Sequence, residues 1–355
     1  MKIAVLLSGG VDSSVALNLL KSQGHELTAF YLKIWLEEEL AFLGDCPWEE
    51  DLDFARKVCD AAGVPLEIVN MQEEYLNTVV EYTITELKAG RTPSPDIMCN
   101  RHIKFGQFFS KVDLLKKFDK VASGHYAAIE EVDGLFYLKE SPDPVKCQTY
   151  FLTYLDQSQL SKILFPLGPY NKAQIRQLAK DFDLPNSQRK DSQGICFLGK
   201  IKYNDFIKFH LGEKIGDIVE IESGKTIGKH KGFWFHTIGQ RTGLGLSGGP
   251  WYVVKKDIEQ NIVYISKDSQ TNKTSHDKFA VYNLNWITTA PATDTLQVKI
   301  RHGAQKYNCK IQLLPDNRAL VELDEPDQGI ADGQFSIFYD NGYCLGGGVI
   351  EQLPE

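Results

Sequence analysis

The run Ser8-Gly9-Gly10-Val11-Asp12-Ser13-Ser14 directly follows the apolar pair Leu6-Leu7 and leads into a stretch with helical periodicity. Two glycines let the backbone turn tightly and approach an anion. Ser13 or Ser14, with the free amides of a first helical turn, supplies hydrogen-bond donors aligned with the helix dipole. The pattern predicts a phosphate cradle formed by Leu6, Leu7, Ser8, Gly9, Gly10, Val11, Asp12 and Ser13. It lacks the Lys of a Walker A loop and the Gly-x-Gly-x-x-Gly of a dinucleotide site. The one lookalike, Ser223-Gly224-Lys225-Thr226, has Val219 where a glycine is required and sits in β-rich sequence. Asp12 is suited either to a hard cation such as Mg²⁺ bridging phosphate oxygens or to capping the helix.

Two cysteines stand in settings that favour reactivity. Cys99 closes a proline-stiffened stretch, Arg91-Thr92-Pro93-Ser94-Pro95-Asp96-Ile97-Met98-Cys99-Asn100, expected to be a loop between two helices. Arg101, His102 and Lys104 follow, and cationic neighbours with a helix N-terminus favour the thiolate. Asp96, three residues earlier, is placed to share a site with that thiol as a general acid or base. Cys196 lies in Arg189-Lys190-Asp191-Ser192-Gln193-Gly194-Ile195-Cys196-Phe197, again after basic residues and a glycine. Two reactive thiols beside a phosphate site suggest sulfur transfer, one Cys carrying a persulfide and the other resolving it as a disulfide. An iron–sulfur cluster on Asp96, Cys99 and Cys196 is a further possibility, although no clustered ligand motif is present.

These groups need a scaffold. Apolar runs at residues 2–7, 26–31, 67–70 and 121–123 alternate with helical patterns at 13–23, 49–62, 73–88 and 103–117, which reads as a parallel α/β sheet. Open α/β sheets bind ligands beyond the carboxyl ends of their strands, so Leu32 and Gly124-His125 are placed to complete the pocket. A hairpin turning at Asp133-Gly134 follows, then helices near 157–163 and 172–182. From about residue 210 short alternating runs punctuated by Gly, Asp and Asn predict β-structure. A polar stretch at 267–278 divides it in two.

With 355 residues and 43% hydrophobic content, the chain is long enough for two or three cored domains. The seven cysteines are odd in number and scattered, no Cys-x-x-Cys pair occurs, and neither a disulfide framework nor a zinc site is expected. The first strand begins almost at Met1 and no run has membrane-spanning length, so a cytosolic location without membrane association is expected. A net charge of −8 gives no global attraction to nucleic acid. RNA binding would rest on the basic-rich segments 104–120, 189–208 and 225–241.

The 8–14 run resembles the signature of the ATP pyrophosphatases, whose loop grips the pyrophosphate end of ATP while the α-phosphorus is attacked. The whole chain resembles the bacterial tRNA-specific 2-thiouridylases through residues 8–14, 90–105, 122–127, 148–152, 190–197, 235–246, 251–254 and 344–351. The stretch His236-Thr237-Ile238-Gly239-Gln240-Arg241-Thr242-Gly243-Leu244-Gly245, which has no simple structural explanation, makes the match specific. The resemblance implies an α/β protein with a Rossmann-like parallel-sheet ATP pyrophosphatase domain (1–205), a small β-containing central domain (206–272) and a C-terminal β-barrel (273–355). It implies ATP with Mg²⁺, adenylation of the C2 oxygen of a wobble uridine, and sulfur delivery that yields 2-thiouridine, AMP and pyrophosphate.

By the same resemblance Cys99 is the nucleophile, Cys196 the persulfide carrier and Asp96 the acid/base group. Ser94, Pro95 and Asp96 border a flipped base, with His125 at the pocket. Lys146, Cys147, Gln148, Arg301, His302 and Gln334 fall on tRNA-contacting positions. Cys147 stands where Asp is expected, Ser94 where Asn is usual, and His302 where Tyr is commoner. The implied partners are tRNA at its anticodon and an upstream persulfide relay protein, with the chain itself a monomer.

Overall fold

The computed structural model describes residues 1–34, 48–190, 202–267, 276–327 and 329–353. The first strand, β1 (Lys2–Leu6), is buried along almost its whole length, as a central parallel strand must be. It pairs in parallel with β2 (Glu26–Lys33) on one side and β4 (Lys120–Ala122) on the other. With β3 (Leu66–Asn70) and β7 (Ile163–Leu164) the order is β3-β2-β1-β4-β7. The chain runs outward from β1 to β3 and then returns to the opposite side at β4. The strand order therefore reverses between β1 and β4, and the carboxyl ends of those strands open a crevice there. Among the described residues, no helix is long and apolar enough to cross a membrane.

The helices follow the expected periodicity with two corrections, the shorter being that the helix expected over 157–163 stops at Leu160 and Ile163 enters strand β7. Residues expected as a loop up to Asn100 are helical from Pro95, first as Pro95–Met98 and then as π-helical turns over Cys99–Gln107. Pro95 explains the start, since its fixed φ and missing N–H suit the first helical turn. Cys99 thus lies inside a helix rather than ahead of one.

The Asp133-Gly134 hairpin forms as expected, both residues having positive φ (52° and 79°), between β5 (Ala127–Val132) and β6 (Leu135–Glu140). A four-stranded sheet follows, made of β8 (Gly216–Glu220), β9 (Thr226–His230), β10 (Tyr252–Asp257) and β11 (Ile262–Ser266), around Ile218, Val253, Val263 and Ile265. The last strands are β12 (His276–Trp286), β13 (Thr295–Lys299), β14 (Tyr307–Leu314), β15 (Arg318–Asp327), β16 (Phe335–Asp340) and β17 (Tyr343–Glu351). They pair in the order β12-β15-β14-β13-β16-β17, and β17 returns to β12, closing a six-stranded barrel.

The barrel does not stand apart. Strand β17 also pairs with β6, Cys344 opposite Leu138, so the hairpin of the first domain extends the barrel sheet. One apolar cluster runs from Ala4 and Phe30 through Cys99 and Tyr150 to Phe335, Ile337 and Tyr339. The α/β domain and the barrel share a core.

Candidate active site

Strand β1 ends in the predicted turn. Gly9 has φ +75°, and a Cβ there would collide with the Asp51 carbonyl oxygen, so glycine is required on two counts. The helix Val11–Ser22 begins at once, with Gly10 as its N-cap. The Ser13 hydroxyl donates to the Gly10 carbonyl at 3.0 Å and accepts the Ser8 N–H at 3.2 Å, and Ser14 Oγ donates to the same carbonyl at 2.9 Å. Across the crevice, a Cβ on Gly124 would meet Ser13 N at 2.8 Å and the Asp12 carbonyl carbon at 3.0 Å, so the end of β4 closes onto the first turn of the helix. Leu32 lies near the end of β2, half-buried against the main core. Leu6, Leu7 and Val11 are buried and carry the loop from below.

Asp12 does not cap the helix, because Gly10 holds that position. Its carboxylate accepts hydrogen bonds from the Tyr126 hydroxyl at 2.8 Å and from Lys172 Nζ at 2.8 and 3.0 Å. Both Asp12 oxygens are thus engaged, and among the described residues no group of three His, Cys, Asp or Glu could hold a metal. A cation at this loop fits only as one carried by phosphate oxygens.

The Gly9 carbonyl accepts two further donors, Asn186 Nδ2 at 2.8 Å and Arg189 NH1 at 3.2 Å. Asn186 also donates to Ser14 Oγ at 2.9 Å. Arg189 pairs with Asp51 and lies 4.9 Å over the Phe54 ring. Beyond Arg189 the chain passes into residues 191–201, which carry Cys196 and lie outside the described residues.

His125 follows Gly124, its ring between Phe105 and Phe165 and its Nδ1 2.8 Å from Ser123 Oγ. Burial, assisted by the Lys104 charge, holds its pKa well below the usual histidine range, so it is neutral and can donate from only one ring nitrogen.

Cys99 departs from expectation. It is 1% exposed and sits in the shared core with Ile97, Ile103 and Phe105. Arg101, His102 and Lys104, which follow it in the same π-helical segment, are half-buried. Asp96 and Ser94 are half-buried, and Ser94 N–H donates to the Tyr82 hydroxyl at 3.2 Å. Pro95 is buried.

The barrel brings the remaining candidates to this place. His302, in the turn after β13, lies 4.5 Å from the Phe151 ring at an interplanar angle of 31°. It is bonded to the Cys147 backbone and feels the charges of Asp96, Lys146 and Lys299, burial being the largest influence lowering its pKa. Residues distant in sequence, Asp96, Lys146 and His302, thus share one neighbourhood. Cys147 itself is 3% exposed, its Sγ 3.3 Å from Thr149 Oγ1, so in this conformation its side chain faces the interior. Gln148 Oε1 accepts the Tyr126 N–H at 2.9 Å and its own N–H donates to the Tyr126 carbonyl, which ties this segment to the Asp12 partner. Arg301 makes a two-pronged pair with Asp327, at 2.8 and 2.5 Å. Gln334 lies on the barrel loop that meets the 91–92 segment, where Thr92 N–H donates to the Asp332 carbonyl at 2.7 Å. Its Oε1 is buried without a partner among the described residues.

Tyr126, Lys172 and Asn186 escaped sequence reasoning, and Arg189 entered it only as a basic residue ahead of Cys196. A capping box at Asn171 and Gln174 marks the helix that carries Lys172, yet nothing in sequence announces a partner 160 residues away.

Family models match along the chain: a tRNA methyl transferase HUP domain at residues 1–200, a tRNA methyl transferase PRC-barrel domain at 204–267, and an aminomethyltransferase beta-barrel domain at 276–350. Among curated proteins, tRNA-specific 2-thiouridylase MnmA of Parabacteroides distasonis is 46% identical, covering 99% of both chains. A like-named protein of Bacteroides thetaiotaomicron is also 46% identical with the same coverage. A solved 4-thiouridine synthetase–RNA complex with bound ATP aligns at TM-score 0.35 and 18% identity, over 59% of this chain and 50% of that one, too distant to carry argument. On the full-length identity to its curated relatives, the chain belongs to the tRNA-specific 2-thiouridylase family.

Proposed function

We propose that the protein is an ATP-dependent tRNA-uridine 2-sulfurtransferase acting on the wobble uridine. The observation that carries this reading is the anion loop at the β1/β4 crevice, whose Gly9 carbonyl is held by the last anchored residues before the stretch bearing Cys196. Cys196 lies seven positions past Arg189 in the sequence, and seven residues reach at most about 25 Å when fully extended. The loop and that thiol are therefore tethered to one another. Methyl transfer, the wording of the family models, leaves the loop without a task.

In this reading the 8–13 loop grips the β- and γ-phosphates of ATP, and Mg²⁺ comes as their counter-ion. The uracil O2 attacks the α-phosphorus, Asp96 takes the N3 proton, and pyrophosphate leaves. The terminal sulfur of a persulfide on Cys196 adds at C2, and AMP departs with the former O2. The Cys99 thiolate then attacks Cys196 Sγ. The bond from Cys196 to the transferred sulfur breaks, leaving 2-thiouridine and a Cys99–Cys196 disulfide that an external thiol reopens. Lys146, His302 and the Ser94–Pro95 turn line the approach of the flipped base, which must leave its stack to expose C2. Cys99 is covered in this conformation, so the mechanism requires tRNA docking to shift the 91–98 segment. A persulfide donor protein upstream, a cytosolic setting and a monomeric chain complete the proposal.

The test uses purified protein with ATP, Mg²⁺, tRNA and a persulfide donor, with nucleosides read by mass spectrometry. Cys196→Ser should abolish 2-thiouridine while tRNA-dependent pyrophosphate release persists. Undiminished thiolation in that variant would refute the assignment.

A further inference from the structure

Glycine gives the phosphate loop its shape and, by the same freedom, leaves that shape underdetermined. A Gly-Gly pair with positive φ at Gly9 can rotate its shared peptide at little steric cost, turning the N–H that should face an anion away from it. Something outside the loop must choose the orientation. The Gly9 carbonyl belongs to that peptide, and it is gripped from one side by Asn186 Nδ2 (2.8 Å) and Arg189 NH1 (3.2 Å). Because the peptide is planar and trans, fixing the carbonyl toward these donors fixes the Gly10 N–H in the opposite direction. There, among the described residues, it makes a long contact with Ser8 Oγ, 3.4 Å, which a phosphate oxygen can replace.

Both gripping side chains are themselves held for this task. Asn186 is 2% exposed and sends its amide hydrogens to Gly9 O and Ser14 Oγ, while its Oδ1 is buried with no partner among the described residues. Reversing the amide would put Oδ1 against the Gly9 carbonyl oxygen, two acceptors face to face, so the donor orientation is chosen although an acceptor goes unsatisfied. Arg189 spends its charge on Asp51 and, more distantly, on Glu50, with its guanidinium on the Phe54 ring. An arginine so neutralised serves as an oriented donor more than as a phosphate clamp. Its own carbonyl, with that of Ser187, accepts Arg176 NH1 at 2.6 and 3.1 Å, which fixes the segment that presents it.

We infer that Asn186 and Arg189 are positioning residues of the nucleotide loop, holding the Gly9–Gly10 peptide so that its N–H faces the phosphate hollow. The inference rests on the proposed binding of ATP at that loop. It goes beyond that reading by assigning the loop's preorganisation to a segment more than 170 residues away, the one that continues into Cys196.

Calorimetric titration of the full-length protein with ATP, and separately with inorganic pyrophosphate, tests it in Asn186→Asp, Arg189→Met and Arg189→Lys. Asn186→Asp is nearly isosteric and replaces a donor by an acceptor. Arg189→Met removes the donor at the loop's edge, and thermal melting reports whether each variant is folded. Loss of one such buried bond corresponds to about a tenfold fall in affinity. That fall is expected for both ATP and pyrophosphate in Asn186→Asp and Arg189→Met, with KM for ATP raised, KM for tRNA unchanged and partial recovery in Arg189→Lys. A merely structural residue would lower the melting temperature without separating the two KM values. Folded Arg189→Met protein binding both ligands within about twofold of wild type overturns the inference. Wild-type protein that binds neither ligand overturns the nucleotide reading itself, a separate and earlier failure.

Discussion

At the scale of single residues, the sharpest consequence concerns the burial of Cys99. Thiol reagents attack the thiolate of an accessible sulfur, and this one is 1% exposed among Ile97, Ile103 and Phe105. In the free protein Cys99 should label with iodoacetamide at least about tenfold more slowly than an unhindered thiol, and tRNA should accelerate it. Peptide mass mapping with and without tRNA reads the rate directly. If Cys99 labels rapidly without RNA, the requirement for an uncovering step is wrong; if tRNA leaves the rate unchanged, Cys99 has no route to Cys196 in this cycle. Asp12 illustrates the same scale from the other side. The sequence left it to serve as either a cap or a cation ligand; folding gives the cap position to Gly10 and ties Asp12 to Tyr126 and Lys172.

Among the elements, what could be read in advance was what is local. The 8–14 turn was legible because glycines between a strand and a helix admit few conformations, and the Asp133-Gly134 hairpin was legible for the same reason. The helical start at Pro95 was missed because two nearby prolines read as loop, although proline suits a first helical turn. No local pattern could reveal that β6 would pair with β17 or that barrel residues would complete the core around Cys99, since such pairings depend on register across some 200 residues. This shared core makes a prediction of its own. Phe335 is fully buried at the start of β16, edge-on to Tyr154 at 5.2 Å, and its carbonyl accepts the Tyr150 hydroxyl at 3.0 Å. Phe335→Ala should cost about 3–5 kcal/mol in urea denaturation, and should also speed Cys99 labelling, although the substitution lies in the barrel. A cost below about 1 kcal/mol would mean that barrel and α/β domain are packed independently.

For the molecule as a whole, the three units meet at one polar junction, and its acid sensitivity follows from linkage. Lys256, in the central sheet, donates to the Gly90 carbonyl of the α/β domain and to the His236 carbonyl at 3.1 Å, with Asp332 of the barrel attracting its charge. Beside it lies a cavity of about 360 Å³ lined by all three units. His236 is buried here, its Nδ1 without a partner among the described residues and its ring 5.5 Å from that of His230. Burial first, then the charges of His230 and Lys256, push its pKa down to about 4. The unfolded chain takes up this proton near pH 6.5, whereas the folded protein refuses it until about pH 4. Between those values the unfolded state binds more protons, so stability is greatest above pH 6.5 and falls as pH drops. The full window is worth about 3 kcal/mol from this one group. His236→Gln keeps the backbone carbonyl that Lys256 uses and removes the titration, so its stability should decline less steeply than wild type from pH 6.5 to 4. Urea denaturation of both proteins across that range compares the slopes. Parallel curves would show that His236 takes up its proton freely in the folded state, and that the three-unit junction is open to water rather than sealed.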